Sequence, residues 1–230
     1  MPQTKVMLLW DLPTRIFHWA LVVAVVAAFV TGQLGGNLMD WHGRIGLFIL
    51  GLLAFRLFWG LFGSTYARFG QFFPSPVRLK AYLQGRWQGQ GHNPLGALSV
   101  FALLGLLGFQ AISGLASNDD IAFNGPLYAL VSKELSNSLT GLHHRASNVL
   151  LALIGLHLLA IAFYVRIKKH NLLAPMLHGK KPGNPQDSAQ GGGWPRFLFG
   201  LIFALAVVFA ASGAWITPPP PTAAVETPSW

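Results

Sequence analysis

Apolar residues gather in five long blocks along this chain, at about 16–34, 42–62, 94–116, 143–165 and 197–216, separated by short polar stretches. Each block is long enough to cross the ~30 Å hydrocarbon core of a bilayer. Hydrocarbon offers no partner to an unpaired backbone group, so each is predicted to be a helix. Asn93 followed by Pro94 has the form of an N-cap with proline at the first helical position, which marks the start of the third span. That span carries Gly96, Ala97, Gly105, Gly108 and Gly114, residues small enough to let helices approach closely where the hydrophobic effect cannot drive association. The fifth has Gly200, Ala204, Ala206, Ala210, Ala211 and Gly213 and no ionisable group, so it reads as a helix for packing or for contact with another subunit.

This pattern divides the chain into an all-α, integral membrane four-helix bundle over residues 1–181, a polar Gly-rich linker over 182–196, a fifth span over 197–216 and a Pro-rich tail over 217–230. The first block follows few basic residues, and Gln33-Leu34-Gly35-Gly36 is a poor cleavage site. It is therefore expected to stay as a span, with the mature chain beginning near Met1.

Composition agrees: 53% of the 230 residues are hydrophobic and 10% are charged. The net charge of +9 raises nucleic acid as a partner, but the placement of the charge argues otherwise. Lys5 and Arg15, then Arg68, Arg78, Lys80 and Arg86, then Arg166, Lys168, Lys169, Lys180, Lys181 and Arg196 occupy three segments that alternate with acidic or uncharged ones. The positive-inside rule puts these segments in the cytoplasm, with the N-terminus inside and the C-terminus outside. The opposite face holds Asp40, Asp119, Asp120, Glu134 and Glu226 with Lys133. It would suit a soluble partner bearing a basic patch, although topology alone leaves such a face. The absence of cysteine rules out iron–sulfur clusters, disulfides and thioether-linked haem.

Histidines supply the candidate chemistry. His143 and His157 lie fourteen residues apart in the fourth span, so at roughly 100° per residue they return to within about 40° of one face, and are separated by about 21 Å along the axis. His144 lands about 140° from His157, on a different face. Given the predicted orientation, His42 and His143 share the outer depth while His18 and His157 share the inner half. The inner match is the looser one, since His157 lies nine residues from Arg166 and His18 three from Arg15. A lone histidine at a span end is commonly interfacial, but four that pair by depth point to a site. His144 is read as an interfacial neighbour, and His92, His170 and His178 as solvated loop residues.

Two imidazoles facing each other suit six-coordinate haem iron, which favours electron transfer over substrate binding. Zinc would recruit cysteine or carboxylate ligands, and the spans offer none. Haem propionates need cationic partners. Arg56, fourteen residues after His42 and so about 21 Å deeper on the same face, is a candidate for the inner haem together with Arg15, and Arg44 or Arg145 for the outer one. Snorkelling to the interface accounts equally well for Arg15 and Arg145.

Several segments carry a family resemblance: Trp10-Asp11-Leu12-Pro13-Thr14-Arg15-Ile16-Phe17-His18-Trp19, Trp41-His42-Gly43-Arg44, Arg56 through Trp59-Gly60 to Phe62-Gly63-Ser64-Thr65-Tyr66-Ala67-Arg68-Phe69, and Gly91-His92-Asn93-Pro94-Leu95-Gly96. His143 through Asn148 to His157, Asn171-Leu172, and Met176-Leu177-His178-Gly179-Lys180-Lys181 extend it, so that it runs from about residue 6 to 181. On these residues the chain resembles the bacterial cytochrome b561 family and the related b-type cytochrome subunits of nickel–iron hydrogenases. The resemblance implies a four-helix bundle binding two non-covalent haem b groups, each with two histidine ligands: His18 and His157 for the inner, His42 and His143 for the outer. It also implies an electron-transfer protein, acting as a quinone-linked oxidoreductase, between ubiquinone or another quinone and a periplasmic redox partner such as a c-type cytochrome. The fifth helix and the Pro-rich tail depart from the compact four-helix members, and the fifth helix is a candidate oligomer contact. Superoxide oxidation at the outer haem, a hydrogenase-type cytochrome b subunit, and a haem-free small transporter using the intramembrane His and Arg residues are the competing readings.

Overall fold

A computed structural model describes residues 5–216; the expectation for the Pro-rich tail at 217–230 and for Glu226 lies outside the described residues. Eight helices follow in order: α1 (Leu12–Leu34), α2 (Met39–Phe62), α3 (Phe69–Phe72), α4 (Pro76–Leu83), α5 (Pro94–Leu115), α6 (Lys133–Arg166), α7 (Leu173–His178) and α8 (Gly193–Ala211). Five of them, α1, α2, α5, α6 and α8, are long and apolar enough to cross a membrane. Exposed Val23, Val26, Leu57, Leu156, Leu159 and Ile202 line their outer faces, as a lipid-facing surface requires.

Local chemistry sets the helix starts. Asp11 caps α1 by accepting the Thr14 N–H through Oδ1 at 2.9 Å, and its Oδ2 accepts the Trp59 indole N–H at 2.9 Å. One carboxylate thus starts α1 and ties it to the end of α2. At α5 the predicted cap is in place, with Asn93 Oδ1 accepting the Gly96 N–H at 2.7 Å.

In the interior, α2 packs against α1, α5 and α8, whereas α6 packs closely on α5 alone among the long helices. Leu150 carries α6 into the middle of the bundle, where it joins Ala24, Val25, Ile49, Leu53 and Leu107. It lies seven residues from both His143 and His157, so the apolar plug falls midway between the two histidine levels. Helix α8 lies along α2: a Cβ at Gly51 would come within 2.8 Å of Val208, and one at Gly200 within 2.9 Å of Phe58. Phe197 then packs edge-on against Phe55. Of the small residues read in the fifth span, Gly200 and Ala204 are thus spent within this chain, on α2, while Ala206 and Ala210 stay exposed.

Several boundaries differ from the sequence reading. The fourth helix begins ten residues before His143, because a polar segment that hydropathy cannot see is held by side chains. Ser132 caps it, and fully buried Ser136 donates to the Ala116 carbonyl at 2.6 Å while accepting from Asn118 Nδ2 at 2.6 Å. Ser136→Val leaves both partners unsatisfied at a cost of about 2 kcal/mol, expected as a lower thermal midpoint in detergent. The 63–93 segment, read as a loop, contains α3 and α4. The fifth helix runs over Gly193–Ala211, starting and ending several residues before the predicted 197–216.

The predicted flexible linker is a docked segment. Val6–Leu8 pairs antiparallel with Lys180–Pro182, Ala189 N–H donates to the Leu8 carbonyl at 2.7 Å, and Thr65 N–H donates to the Gln190 carbonyl at 2.9 Å. Glycine composition suggested freedom, but the glycines serve close approach. Gly179, at φ +84°, accepts the N–H groups of Leu9 and Trp10 through its carbonyl, and a Cβ there would lie 2.7 Å from the Trp10 carbonyl oxygen.

Candidate functional site

Helices α2 and α6 bring His42 and His143 together, with ring centres 6.1 Å apart and planes nearly perpendicular at 78°. Each ring is oriented from behind. His42 Nδ1 lies 2.9 Å from the Ala28 carbonyl, an acceptor only, so it donates there. His143 Nδ1 lies 3.1 Å from Ser113 Oγ, whose own hydrogen goes to the Gln110 carbonyl, so His143 donates as well. Both rings are thereby fixed with Nδ1 protonated and the Nε2 lone pair free. This is the arrangement by which a ligating imidazole is normally positioned by its second nitrogen. Gly32 and Gly114 make the seats: a Cβ would meet the His42 ring at 2.9 Å and the His143 ring at 3.3 Å.

The spacing suits a metal held between the two. Metal–imidazole bonds of about 2 Å on either side put the ring centres roughly 6 Å apart. Among the described residues, no group of three or more His, Asp or Glu is placed to hold a metal ion, so a site that takes all its ligands from side chains is not formed. A planar cofactor that supplies its own equatorial ligands fits the donor set.

At the basic end stand His18 on α1 and His157 on α6, the latter with Nδ1 at 3.4 Å from Ser99 Oγ. Among the described residues, eight buried side-chain polar atoms lack a hydrogen-bond partner, and five of them belong to this end of the bundle: Thr14 Oγ1, Arg15 Nε, His18 Nδ1, Arg56 Nη1 and His92 Nδ1. Buried polar groups are nearly always satisfied, so such a cluster marks where a ligand supplies the missing acceptors. Arg56 is 4% exposed and its guanidinium rests 4.6 Å above the Phe69 ring. Arg15 donates through Nη1 to the Leu177 carbonyl at 2.7 Å and keeps Nε free.

His92 corrects the sequence reading, which left it in solvent. Its ring packs between Trp10 and Phe72, at 4.7 and 4.6 Å between centres. Burial, then the neighbouring Arg56, His157 and His18, push its pKa down to about 3, so it is neutral at pH 7. The available signal was its position beside the Asn93 cap, which sets it at the membrane boundary on the same end as His18. His170 and His178 are exposed, as read, and exposed His144 lies edge-on to His143 at 6.3 Å. At the acidic end Arg44 lies 5.3 Å over the Trp41 ring and Arg145 Nε donates to the Gly141 carbonyl at 3.2 Å, both near the His42–His143 pair in sequence. Ser113, Ala28 and Gln110, which orient that pair, carried no sequence signal.

Fold and site together define a multi-pass helical membrane protein with paired imidazoles inside its bundle. The chain belongs to the prokaryotic cytochrome b561 family, whose model matches residues 9–179, and is accordingly a haem-binding membrane cytochrome of b type that takes part in electron transport. It is 25% identical over 138 residues to the "Probable Ni/Fe-hydrogenase 1 B-type cytochrome subunit" of Escherichia coli K12, covering 46% of this chain and 58% of that subunit. It is 26% identical over 140 residues to the "Probable Ni/Fe-hydrogenase B-type cytochrome subunit" of Azotobacter chroococcum mcd 1, covering 46% of this chain and 57% of that one. The match thus spans a little under three fifths of these relatives. No solved structure matches the chain.

Proposed function

We propose that this chain is a di-haem b-type cytochrome that carries electrons across a bacterial inner membrane, between the quinone pool and a redox partner on the periplasmic face. The observation that carries the reading is the His42–His143 pair, its ring centres 6.1 Å apart, with both Nδ1–H groups engaged and both Nε2 lone pairs left free. His42 and His143 hold the outer haem, and His18 and His157 the inner. Haem supplies the one-electron chemistry; the protein fixes ligand orientation, spacing and charge. The rise between His143 and His157 sets the ligands about 21 Å apart along α6, with Leu150 keeping the intervening layer dry.

Arg56 and Arg15 balance the inner propionates, and neutral His92 adds a donor without further charge. Arg44 and Arg145, on flexible exposed stems, serve the outer ones. The basic segments at one end support an N-terminus in the cytoplasm, which would turn the acidic end with Asp40, Asp119, Asp120 and Glu134 to the periplasm. There the N–H groups of Ile121, Ala122 and Phe123 hold the Asp119 carboxyl below its usual range, keeping it charged for a basic partner. A soluble c-type cytochrome is one such partner; the names of the relatives favour a second reading, a stably bound hydrogenase-type redox subunit.

Reduced-minus-oxidised spectra of the purified chain in liposomes test the proposal. Two b haems per chain, both reduced by a soluble quinol, are expected. A correctly assembled but colourless protein overturns the reading and favours the transporter; rapid superoxide oxidation without need of a partner favours the oxidase.

A further inference from the structure

The docked 183–196 segment builds a second site that lies outside the bundle and owes nothing to the haem reading. A polar pocket of about 310 Å³ opens at the basic end between the close of α2, Arg68 and the start of α8, walled by Thr65, Gln190, Gly191 and Arg196. This is room for roughly ten waters at about 30 Å³ each. Arg68 Nε is buried and unpartnered. Among the described residues the one ion pair is Lys133–Asp120, so no carboxylate of those residues neutralises either arginine of the pocket. Helix α8 starts at the rim after Gly192, with no side chain capping its first N–H groups, which adds the positive end of a 19-residue dipole. The pocket mouth carries Leu61 and Phe62, 63% and 51% exposed, and Trp194, 71% exposed, begins α8 beside it. An exposed tryptophan at a span end is the mark of the headgroup layer.

We propose that this pocket binds the phosphodiester of an anionic phospholipid, with the acyl chains lying on Leu61, Phe62 and α8. Two cations without a carboxylate match an anionic headgroup and give the ammonium of a zwitterionic one no partner. Apolar residues at the mouth, in the headgroup layer, favour a lipid over free phosphate. The lipid would then seal the joint between the family bundle and its added helix.

The test uses the full-length protein, delipidated in mild detergent and monitored by native mass spectrometry and thermal midpoint, with phosphatidylglycerol, phosphatidylcholine and inorganic phosphate as separate probes. Phosphatidylglycerol is expected to bind at least tenfold more tightly than phosphatidylcholine and to raise the midpoint. Arg196→Gln, at an exposed residue, and Arg68→Gln are each expected to weaken binding about tenfold, with Arg196→Lys retaining most of it and the haem spectrum unchanged. Equal retention of the two lipids, undiminished phosphatidylglycerol binding in Arg196→Gln, or a midpoint raised as far by inorganic phosphate as by lipid overturns the proposal. If Arg68→Gln does not assemble, Arg196→Gln decides alone.

Discussion

His143→Ala is expected to halve the haem content, from two b haems per chain to one, while His144→Ala retains both. The two residues are chain neighbours of one type, and only the first faces His42, so the comparison separates ligation from local disturbance. On the proposed assignment the substitution removes one of the two histidines that would hold the outer haem, and among the described residues no other His, Asp or Glu is grouped with the pair to replace it. His42→Ala should behave as His143→Ala does and remove the same haem. Ser113→Ala, which frees the His143 Nδ1–H, is expected to keep the haem and shift its potential, because the orienting partner tunes the ligand rather than holding the metal. Pyridine haemochrome assay against protein concentration reads the count; two haems in His143→Ala would end the ligand assignment.

Arg56→Gln is expected to lower the midpoint potential of one haem and leave the other within error. The guanidinium is buried, stacked on Phe69 and short of a partner at Nη1; the Asp11 carboxylate attracts it from beyond ion-pair contact, and a buried cation so placed gains from a further anion. A positive charge beside a haem favours the reduced state, which carries one more electron, so its removal favours the oxidised state and the potential falls. A differential interaction of about 1.4 kcal/mol corresponds to about 60 mV for a one-electron couple. Potentiometric titration of wild type and variant in the same detergent measures the shift. Two unchanged potentials would leave Arg56 as a packing residue.

The spans were legible because a bilayer-crossing helix announces itself by length and apolarity alone, and all five are present. Their ends were not, because caps and buried hydroxyls decide them: ten residues at the start of α6 are polar by composition and helical by virtue of Ser132 and Ser136. The histidine levels could be read because helical rise and rotation are fixed, so fourteen residues mean one face and a known depth. His92 and the docked 183–196 segment were missed for the opposite reason. Both depend on contacts between parts of the chain remote in sequence, where polarity predicts solvent and tertiary packing supplies a wall. Glycine was ambiguous in the same way: φ beyond +60° at Gly191 and Gly192 reads as freedom in composition and as close fit in the fold, where a Cβ on Gly192 would meet the Trp59 ring at 3.0 Å.

The short pairing of Val6–Leu8 with Lys180–Pro182 has a consequence for biogenesis. The Leu8 N–H to Ser188 Oγ bond spans 180 positions of sequence, so the strand before α1 waits for a mate that is synthesised only after four spans have been threaded into the bilayer. Closing so long a loop is entropically slow and reports on everything between its ends. The clasp can therefore close only when an even number of spans crosses between its strands: a chain with one of the four left out of the bilayer would hold the two strands on opposite sides of the membrane, unpaired.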